Sequence, residues 1–128
     1  MTSPPAKPAV VVLEDDDSLL GAITFALEED GFVAHGFRDA GQALAAPATA
    51  EADCLIVDLK LPAGPDGLAF IAILRARGQN APAILITTDP DERTRKAADA
   101  AAVTIVEKPL IDGALSRAIE RALGRPHD

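Results

Sequence analysis

Five short apolar runs alternate with segments of helical periodicity along the chain, and this alternation limits the possible folds more than any other feature. The runs are residues 9–13, 32–35, 54–57, 83–86 and 103–106. Strands that are apolar along their whole length are typical of parallel sheets, because helices cover both faces of such sheets. The alternation therefore predicts an α/β domain built on a parallel sheet.

Helical periodicity follows each apolar run. The predicted helices extend from Leu19 to Gly31, over 39–46, from Leu68 to Gly78, over 93–100 and from Leu115 to Leu123. Asp17 or Ser18 is expected to cap the first of them. We predict a doubly wound, flavodoxin-like, five-stranded parallel sheet with right-handed crossovers. Its expected strand order is 2-1-3-4-5, which is a common solution for a chain of this size.

Composition narrows the class of protein. The 128 residues predict one domain over 9–124, a flexible proline-containing tail at 1–8 and a short tail at 125–128. The chain has 20 acidic and 12 basic residues, and the resulting net charge of -8 disfavours nucleic-acid binding. No apolar run has the length of a membrane span, and a single cysteine suits a reducing compartment. We therefore expect a cytoplasmic protein that contacts neither nucleic acid nor membrane.

Polar side chains follow four of the five predicted strands. They are Glu14 and Asp15 after the first, Asp58 after the third, Thr87 after the fourth and Lys108 after the fifth. In open α/β sheets, ligand sites form outside the carboxyl ends of the strands. The order 2-1-3-4-5 would bring these five residues into one crevice.

The types of residue in this set indicate phosphoryl chemistry. Crowded carboxylates have raised pKa values unless a cation lies between them, and oxygen ligands suit Mg²⁺. No histidine or cysteine accompanies them, which disfavours zinc. The carboxylate of Asp58 can act as a nucleophile toward phosphorus, while Lys108 and Thr87 can donate hydrogen bonds to phosphoryl oxygens.

Five motifs in a fixed order extend this interpretation to a family. They are VVLEDDD at 11–17, IVDLKLP at 56–62, Asp66-Gly67, ILITT at 84–88 and VEKP at 106–109. With these motifs the chain resembles a response-regulator receiver domain of bacterial two-component signalling, over almost its whole length from Ala9 to Leu123. The resemblance implies a Mg²⁺-dependent phosphoryl acceptor that a sensor histidine kinase or a phosphotransfer protein phosphorylates.

The resemblance also implies a role for each matching residue. Asp58 is the expected phosphorylation site, and Glu14 and Asp15 are the expected acidic pair at the metal. Lys60 would offer its backbone carbonyl to Mg²⁺, and the Lys108-Pro109 bond is expected to be cis. Thr87 and Lys108 would contact the phosphoryl group. Asp89 and Lys60 would flank it and tune the attack of water.

Two features leave alternatives open. Asp15 and Asp16 are a second possible acidic pair, although that register would leave Glu14 inside the apolar strand. Ile105 occupies a position where the family usually has an aromatic residue or histidine, and the loop before Asp66 is one residue longer than is common. Both departures favour an alternative function, a pseudo-receiver that binds partners without being phosphorylated.

A third possibility, a hydrolase with an aspartyl-phosphate intermediate, is disfavoured because Lys60 stands where such enzymes place a second carboxylate. We expect no turnover of external substrates, only phosphorylation and dephosphorylation of the protein itself. The expected partners are the phosphoryl donor and a downstream protein target. The expected oligomeric state is a monomer, or a weak dimer through the fourth predicted helix, the fifth strand and the last helix.

Overall fold

The computed structural model describes residues 7–62 and 64–124 and consists of one parallel sheet with helices on both faces. Its strands are β1 (Ala9–Leu13), β2 (Val33–Phe37), β3 (Cys54–Asp58), β4 (Ala83–Thr87) and β5 (Thr104–Glu107). Its helices are α1 (Asp17–Glu29), α2 (Ala40–Ala45), α3 (Pro47–Ala50), α4 (Gly67–Ala76), α5 (Glu92–Ala100) and α6 (Ala114–Ala122). Both predicted tails lie wholly or mostly outside the described residues, which include only Lys7 and Pro8 of the first.

The predicted topology is confirmed. The five strands lie in the order β2-β1-β3-β4-β5, and each neighbouring pair is parallel. Because the strands are parallel, their carboxyl ends meet at one edge of the sheet. The residues that follow β1, β3, β4 and β5 are therefore collected at that edge.

Alternate residues of each central strand face opposite sides of the sheet, where two hydrophobic clusters form. Val11 and Leu13 of β1 pack with residues of α2, α4 and α5, whereas Val10 and Val12 pack with residues of α1 and α6. All five residues of β3 and of β4 are buried. Burial on both faces explains why these strands are apolar without alternation.

One local prediction was wrong, and one short helix was missed. The first helix is capped by Asp16, not by Asp17 or Ser18, because the Asp16 carboxylate accepts a hydrogen bond from the Leu19 backbone N–H at 2.9 Å. The chain also forms α3, which was not predicted. Pro47 occupies the first turn of this short helix, where the absence of an N–H has no consequence, so the proline begins a helix as well as ending α2.

Two further features of the fold are the length of its helices and the burial of its cysteine. Over 7–62 and 64–124, every helix is too short or too polar to traverse a lipid bilayer. Cys54 is a free thiol buried in β3, and burial raises its pKa to about 11. The thiol therefore has little thiolate character and acts as core packing, as the sequence indicated.

Candidate functional site

Backbone hydrogen bonds between neighbouring strands fix the positions of the residues at the carboxyl edge. The Glu14 N–H donates to the Phe37 carbonyl at 3.0 Å, and the Leu59 N–H donates to the Ile86 carbonyl at 3.0 Å. The Lys108 N–H donates to the Thr87 carbonyl at 2.8 Å. The edge is thus held by the sheet itself, and the side chains at it project from a rigid frame.

Three carboxylates meet at this edge. Oxygen atoms of Glu14, Asp15 and Asp58 all lie within 4.8 Å of one another. Glu14 is 1% exposed and Asp58 is 4% exposed, while Asp15 is half-buried. Negative charges this close and this poorly solvated repel one another strongly, so the group requires a cation to be stable in its ionised form.

The Lys108 ammonium is the cation that the protein itself supplies. Its Nζ donates to Asp58 Oδ2 at 2.9 Å and lies 3.2 Å from Glu14 Oε1. Burial lowers the pKa of Lys108, but the hydrogen bonds and charges of Asp58 and Glu14 outweigh it and raise the pKa above its ordinary value. The lysine therefore stays protonated and ties the end of β5 to β1 and β3.

The ionised form of Glu14 is destabilised despite the contact with Lys108. Desolvation is the main reason that its pKa is raised from 4.5 to about 7. A hydrogen bond from the Asp16 N–H to Oε2 at 3.1 Å acts in the opposite direction, and the neighbouring charge of Asp58 adds to the rise. Its Oε1 lies 3.2 Å from Lys108 Nζ as an ion pair, but among the described residues it accepts no hydrogen bond of regular geometry. A proton or a metal ion would satisfy this oxygen.

The donor set fits Mg²⁺. It consists of carboxylate oxygens, one of them buried without a hydrogen bond, and contains no nitrogen or sulfur ligand. Lys60 follows Asp58 by two residues, and its N–H donates to Asp58 Oδ1 at 3.1 Å. This bond orients the Asp58 carboxylate, a contribution from Lys60 that sequence reasoning missed because it considered only the carbonyl and the side chain of this residue.

The other predicted site residues lie on or after β4 and β5. Thr87 is 2% exposed at the end of β4, and its hydroxyl donates to the Thr88 carbonyl at 3.5 Å. Ile105 is half-buried and packs against the cluster that contains Val11 and Leu13. Asp89 is exposed with a φ of 51°, a left-handed conformation that aspartate tolerates better than most residues. The expected cis bond between Lys108 and Pro109 is confirmed.

Gly67 has a structural role that the sequence motif did not explain. It begins α4, and its N–H donates to the Leu59 carbonyl at 2.9 Å. A Cβ atom at this position would overlap the Asp58 carbonyl oxygen and lie 2.9 Å from Leu59 Cα. The start of α4 thus rests directly on the backbone of the candidate acceptor. The glycine of the Asp66-Gly67 pair could have signalled this contact, since glycine is favoured where one backbone segment closely approaches another.

Comparison with known proteins agrees with the family resemblance that the sequence motifs indicated. The profile of the response regulator receiver domain family matches residues 10–120. The chain is 30% identical over 122 residues to the transcriptional regulatory protein FixJ of Azorhizobium caulinodans, covering 94% of this chain and 57% of that protein. It is 33% identical over 117 residues to the KDP operon transcriptional regulatory protein KdpE of Escherichia coli, covering 91% of this chain and 51% of that one. The chain spans about half the length of these relatives.

Solved structures match at the level of the fold. The signal receiver domain of an HD domain-containing protein from Pseudomonas fluorescens superposes with a TM-score of 0.83 at 26% identity, covering 97% of this chain and 92% of that one. The chemotaxis protein CheY4 of Vibrio cholerae superposes with a TM-score of 0.84 at 24% identity, covering 92% of this chain and 100% of that one. With its topology, its acidic edge and a family profile that extends over 10–120, the chain belongs to the response regulator receiver domain family.

Proposed function

We propose that the protein is a phosphoacceptor switch in phosphorelay signal transduction, in which Asp58 receives a phosphoryl group in a Mg²⁺-dependent reaction. One observation carries this proposal. Asp58 is buried at the end of β3, within 4.8 Å of two further carboxylates and 2.9 Å from the Lys108 ammonium. A carboxylate held between a cation and a metal-binding acidic pair is arranged for attack on phosphorus.

Each residue of the site has its own role in the proposed reaction. Glu14, Asp15, Asp58 and the Lys60 carbonyl would hold Mg²⁺, which when bound offsets the charge of the phosphoryl oxygens. Lys108 already contacts Asp58 Oδ2 and would donate to the transferred group. Thr87 adjoins Lys108 through the backbone, and its hydroxyl would exchange the weak bond to Thr88 for a phosphoryl oxygen. Turnover of external substrates is not part of the proposal.

The proposed phosphoryl donor is a sensor histidine kinase or phosphotransfer protein. A cleft of about 250 Å³ between α1 and the start of α6 supports contact with a protein, because its walls include Leu19, Ala22 and Ile111. Ile111 is 74% exposed. We place contacts with a downstream target, or a weak dimer, on the face of α5, β5 and α6. A cytoplasmic location, as the reduced Cys54 thiol favours, completes the proposal.

The pseudo-receiver is the second candidate, and Ile105 is the observation that favours it. A half-buried isoleucine packed into the core replaces the large ring that the family resemblance implies at this position. The intact group of Glu14, Asp15, Asp58 and Lys108 favours phosphorylation instead.

Intact-mass spectrometry separates the two candidates. The protein is incubated with acetyl phosphate or phosphoramidate, in Mg²⁺ and in a parallel sample with a chelator. We expect a mass gain of one phosphoryl group with Mg²⁺ and none with the chelator. An unchanged mass with both donors at saturating Mg²⁺ would select the pseudo-receiver.

The affinity for Mg²⁺ is expected to depend on pH through Glu14. Its raised pKa, about 7, means that below pH 7 the metal must displace a proton from this carboxyl group. The apparent Kd should therefore rise as pH falls from 7 to 5, by up to about tenfold per pH unit, and stay level above pH 8. Isothermal titration calorimetry at each pH measures the apparent Kd for Mg²⁺. Glu14→Gln should bind Mg²⁺ more weakly at pH 8 and lose most of the pH dependence; a wild-type Kd that does not change with pH contradicts the assignment.

Lys108 is expected to compete with the metal. Its ammonium bridges Glu14 and Asp58 in the metal-free protein, so Lys108→Met leaves both carboxylates buried without their cation. The metal-free variant should lose about 2–4 kcal/mol of unfolding free energy, somewhat less than for a fully buried pair because the lysine side chain is 24% exposed. Urea unfolding with and without Mg²⁺ measures this. Saturating Mg²⁺ should restore part of the loss and stabilise the variant more than the wild type; an equal effect on both would contradict competition.

A further inference from the structure

Asp16 links the amino end of α1 to the three carboxylates at the edge of the sheet, but it is not one of them. Its Oδ1 accepts from the Leu19 N–H at 2.9 Å, and its carbonyl accepts from the Leu20 N–H at 2.8 Å. Its own N–H donates to Glu14 Oε2 at 3.1 Å. The residue that begins α1 therefore also holds a carboxylate of the proposed metal site.

The packing of α1 makes the helix a fixed support for this link. Its buried face packs against β1 and consists of Leu20, Ile23 and Leu27. A capping carboxylate ties the backbone of its own residue to the first turn of the helix, so the cap extends this support to Asp16. Asp16 has the extended conformation of a capping residue, with φ −77° and ψ 113°. Its N–H is thereby held toward Glu14.

The hydrogen bond from Asp16 decides which oxygen of Glu14 is left for a metal. Oε2 is taken by the Asp16 N–H, whereas Oε1 lies 3.2 Å from Lys108 Nζ, the atom that contacts Asp58 Oδ2 at 2.9 Å. Oε1 thus faces the acceptor carboxylate. Glu14 is buried, so bulk water does not orient its side chain. When a metal takes the place of Lys108, the bond from Asp16 keeps the Glu14 carboxylate in position.

We infer that Asp16 is a positioning residue for the metal: by capping α1, it orients Glu14 so that Oε1 is presented to Mg²⁺. This inference rests on the proposed function. Groups that hold a metal ligand without touching the metal raise the affinity, because the ligand is already oriented when the metal arrives. Asp16 itself is not a ligand, since its Oδ1 is engaged by the Leu19 N–H and its side chain is exposed.

Four substitutions separate the cap from the charge. Asp16→Ala removes both the capping oxygen and the negative charge, whereas Asp16→Asn removes the charge and keeps an oxygen that caps well. Asp17→Asn is the charge control, because Asp17 is the next residue and its side chain is 81% exposed. Asp91→Ala is the matched cap control, since the Asp91 carboxylate caps α5 by accepting from the Thr94 N–H at 2.8 Å.

Two measurements are made on each variant. Isothermal titration calorimetry at pH 8 gives the Kd for Mg²⁺, and NMR hydrogen exchange gives the protection factor of the residue-16 amide in the metal-free protein. Asp16→Ala should raise the Kd about three- to tenfold relative to Asp16→Asn. This is at or below the lower end of the range for groups that orient metal ligands, because the N–H is loosened and not removed. The protection factor should also be lower in Asp16→Ala than in Asp16→Asn.

The control variants have their own expected results. Asp16→Asn and Asp17→Asn should share one smaller increase in Kd, and Asp91→Ala should bind Mg²⁺ like the wild type. Equal Kd values for Asp16→Ala and Asp16→Asn overturn the inference alone. The same holds for an Asp16→Asn loss far larger than that of Asp17→Asn, which would make Asp16 a ligand, and for an equal loss in Asp91→Ala. A wild type that binds no Mg²⁺ overturns the proposed function, and the inference with it.

Discussion

Asp58→Asn is expected to abolish phosphorylation completely, because the variant loses the nucleophile. Its amide nitrogen and oxygen are poor nucleophiles toward phosphorus at neutral pH, and the substitution leaves the size of the side chain unchanged. The acidic pair and Lys108 remain at the site, so any residual chemistry would have to use another carboxylate. The measurement is intact mass after treatment with acetyl phosphate and Mg²⁺, which should show the unmodified mass at every time point.

Asp66→Asn is the matched control for this experiment. Asp66 lies on the loop that follows Asp58 and caps α4 by accepting from the Ala69 N–H at 2.8 Å. Asparagine caps a helix about as well as aspartate, so the variant should fold and become phosphorylated like the wild type. If Asp58→Asn still gains a phosphoryl group, the acceptor is another residue and the assignment of Asp58 is wrong.

Gly67→Ala is expected to destabilise the fold by about 3 kcal/mol, at the upper end of the range for overpacking. The added Cβ atom would meet the Asp58 carbonyl oxygen and Leu59 Cα, which are backbone atoms at the end of β3 and cannot rotate away. Either α4 shifts outward or the acceptor loop moves. Equilibrium unfolding in urea measures the loss, and a slower reaction with acetyl phosphate should accompany it if the loop moves.

Gly21→Ala is expected to have the opposite effect on the free energy of unfolding, measured in the same way. Gly21 is exposed in the middle of α1, and a Cβ atom there would have no neighbour within 4 Å. Alanine in a helix interior is favoured over glycine by about 1 kcal/mol, so this variant should be more stable than the wild type. If Gly67→Ala proved as stable as the wild type, the close packing of α4 on the backbone of Asp58 would be refuted.

The architecture was predictable because its determinants are local in the sequence. Unbroken apolar strands such as 54–57 have few solutions other than a parallel sheet covered on both faces, and the strand order then places Glu14, Asp58 and Lys108 at one edge. The structure brings these side chains together within hydrogen-bond or ion-pair distance. Their roles in phosphoryl transfer remain predictions that the experiments above test.

Features that depend on three-dimensional contacts were not predictable in the same way. The choice of Asp16 as the cap of α1 depends on where the chain leaves β1, since several adjacent acids have a suitable side chain. The burial of Glu14, which raises its pKa, is set by neighbours that no pattern within the strand reveals. A polar cleft lined by Asp15, Arg38, Asp39, Gln42 and Pro62 combines residues that follow β1, β2 and β3 with one residue of α2, and becomes apparent only once the sheet is assembled.

A crystal soaked in Mn²⁺, a Mg²⁺ substitute with strong anomalous scattering, tests most directly whether the strand ends form a metal-assisted acceptor site. The account predicts one anomalous peak among the carboxylates of Glu14, Asp15 and Asp58, with the Lys60 carbonyl completing the protein ligands. A peak elsewhere on the surface, or none at this edge with the metal in large excess, would contradict it.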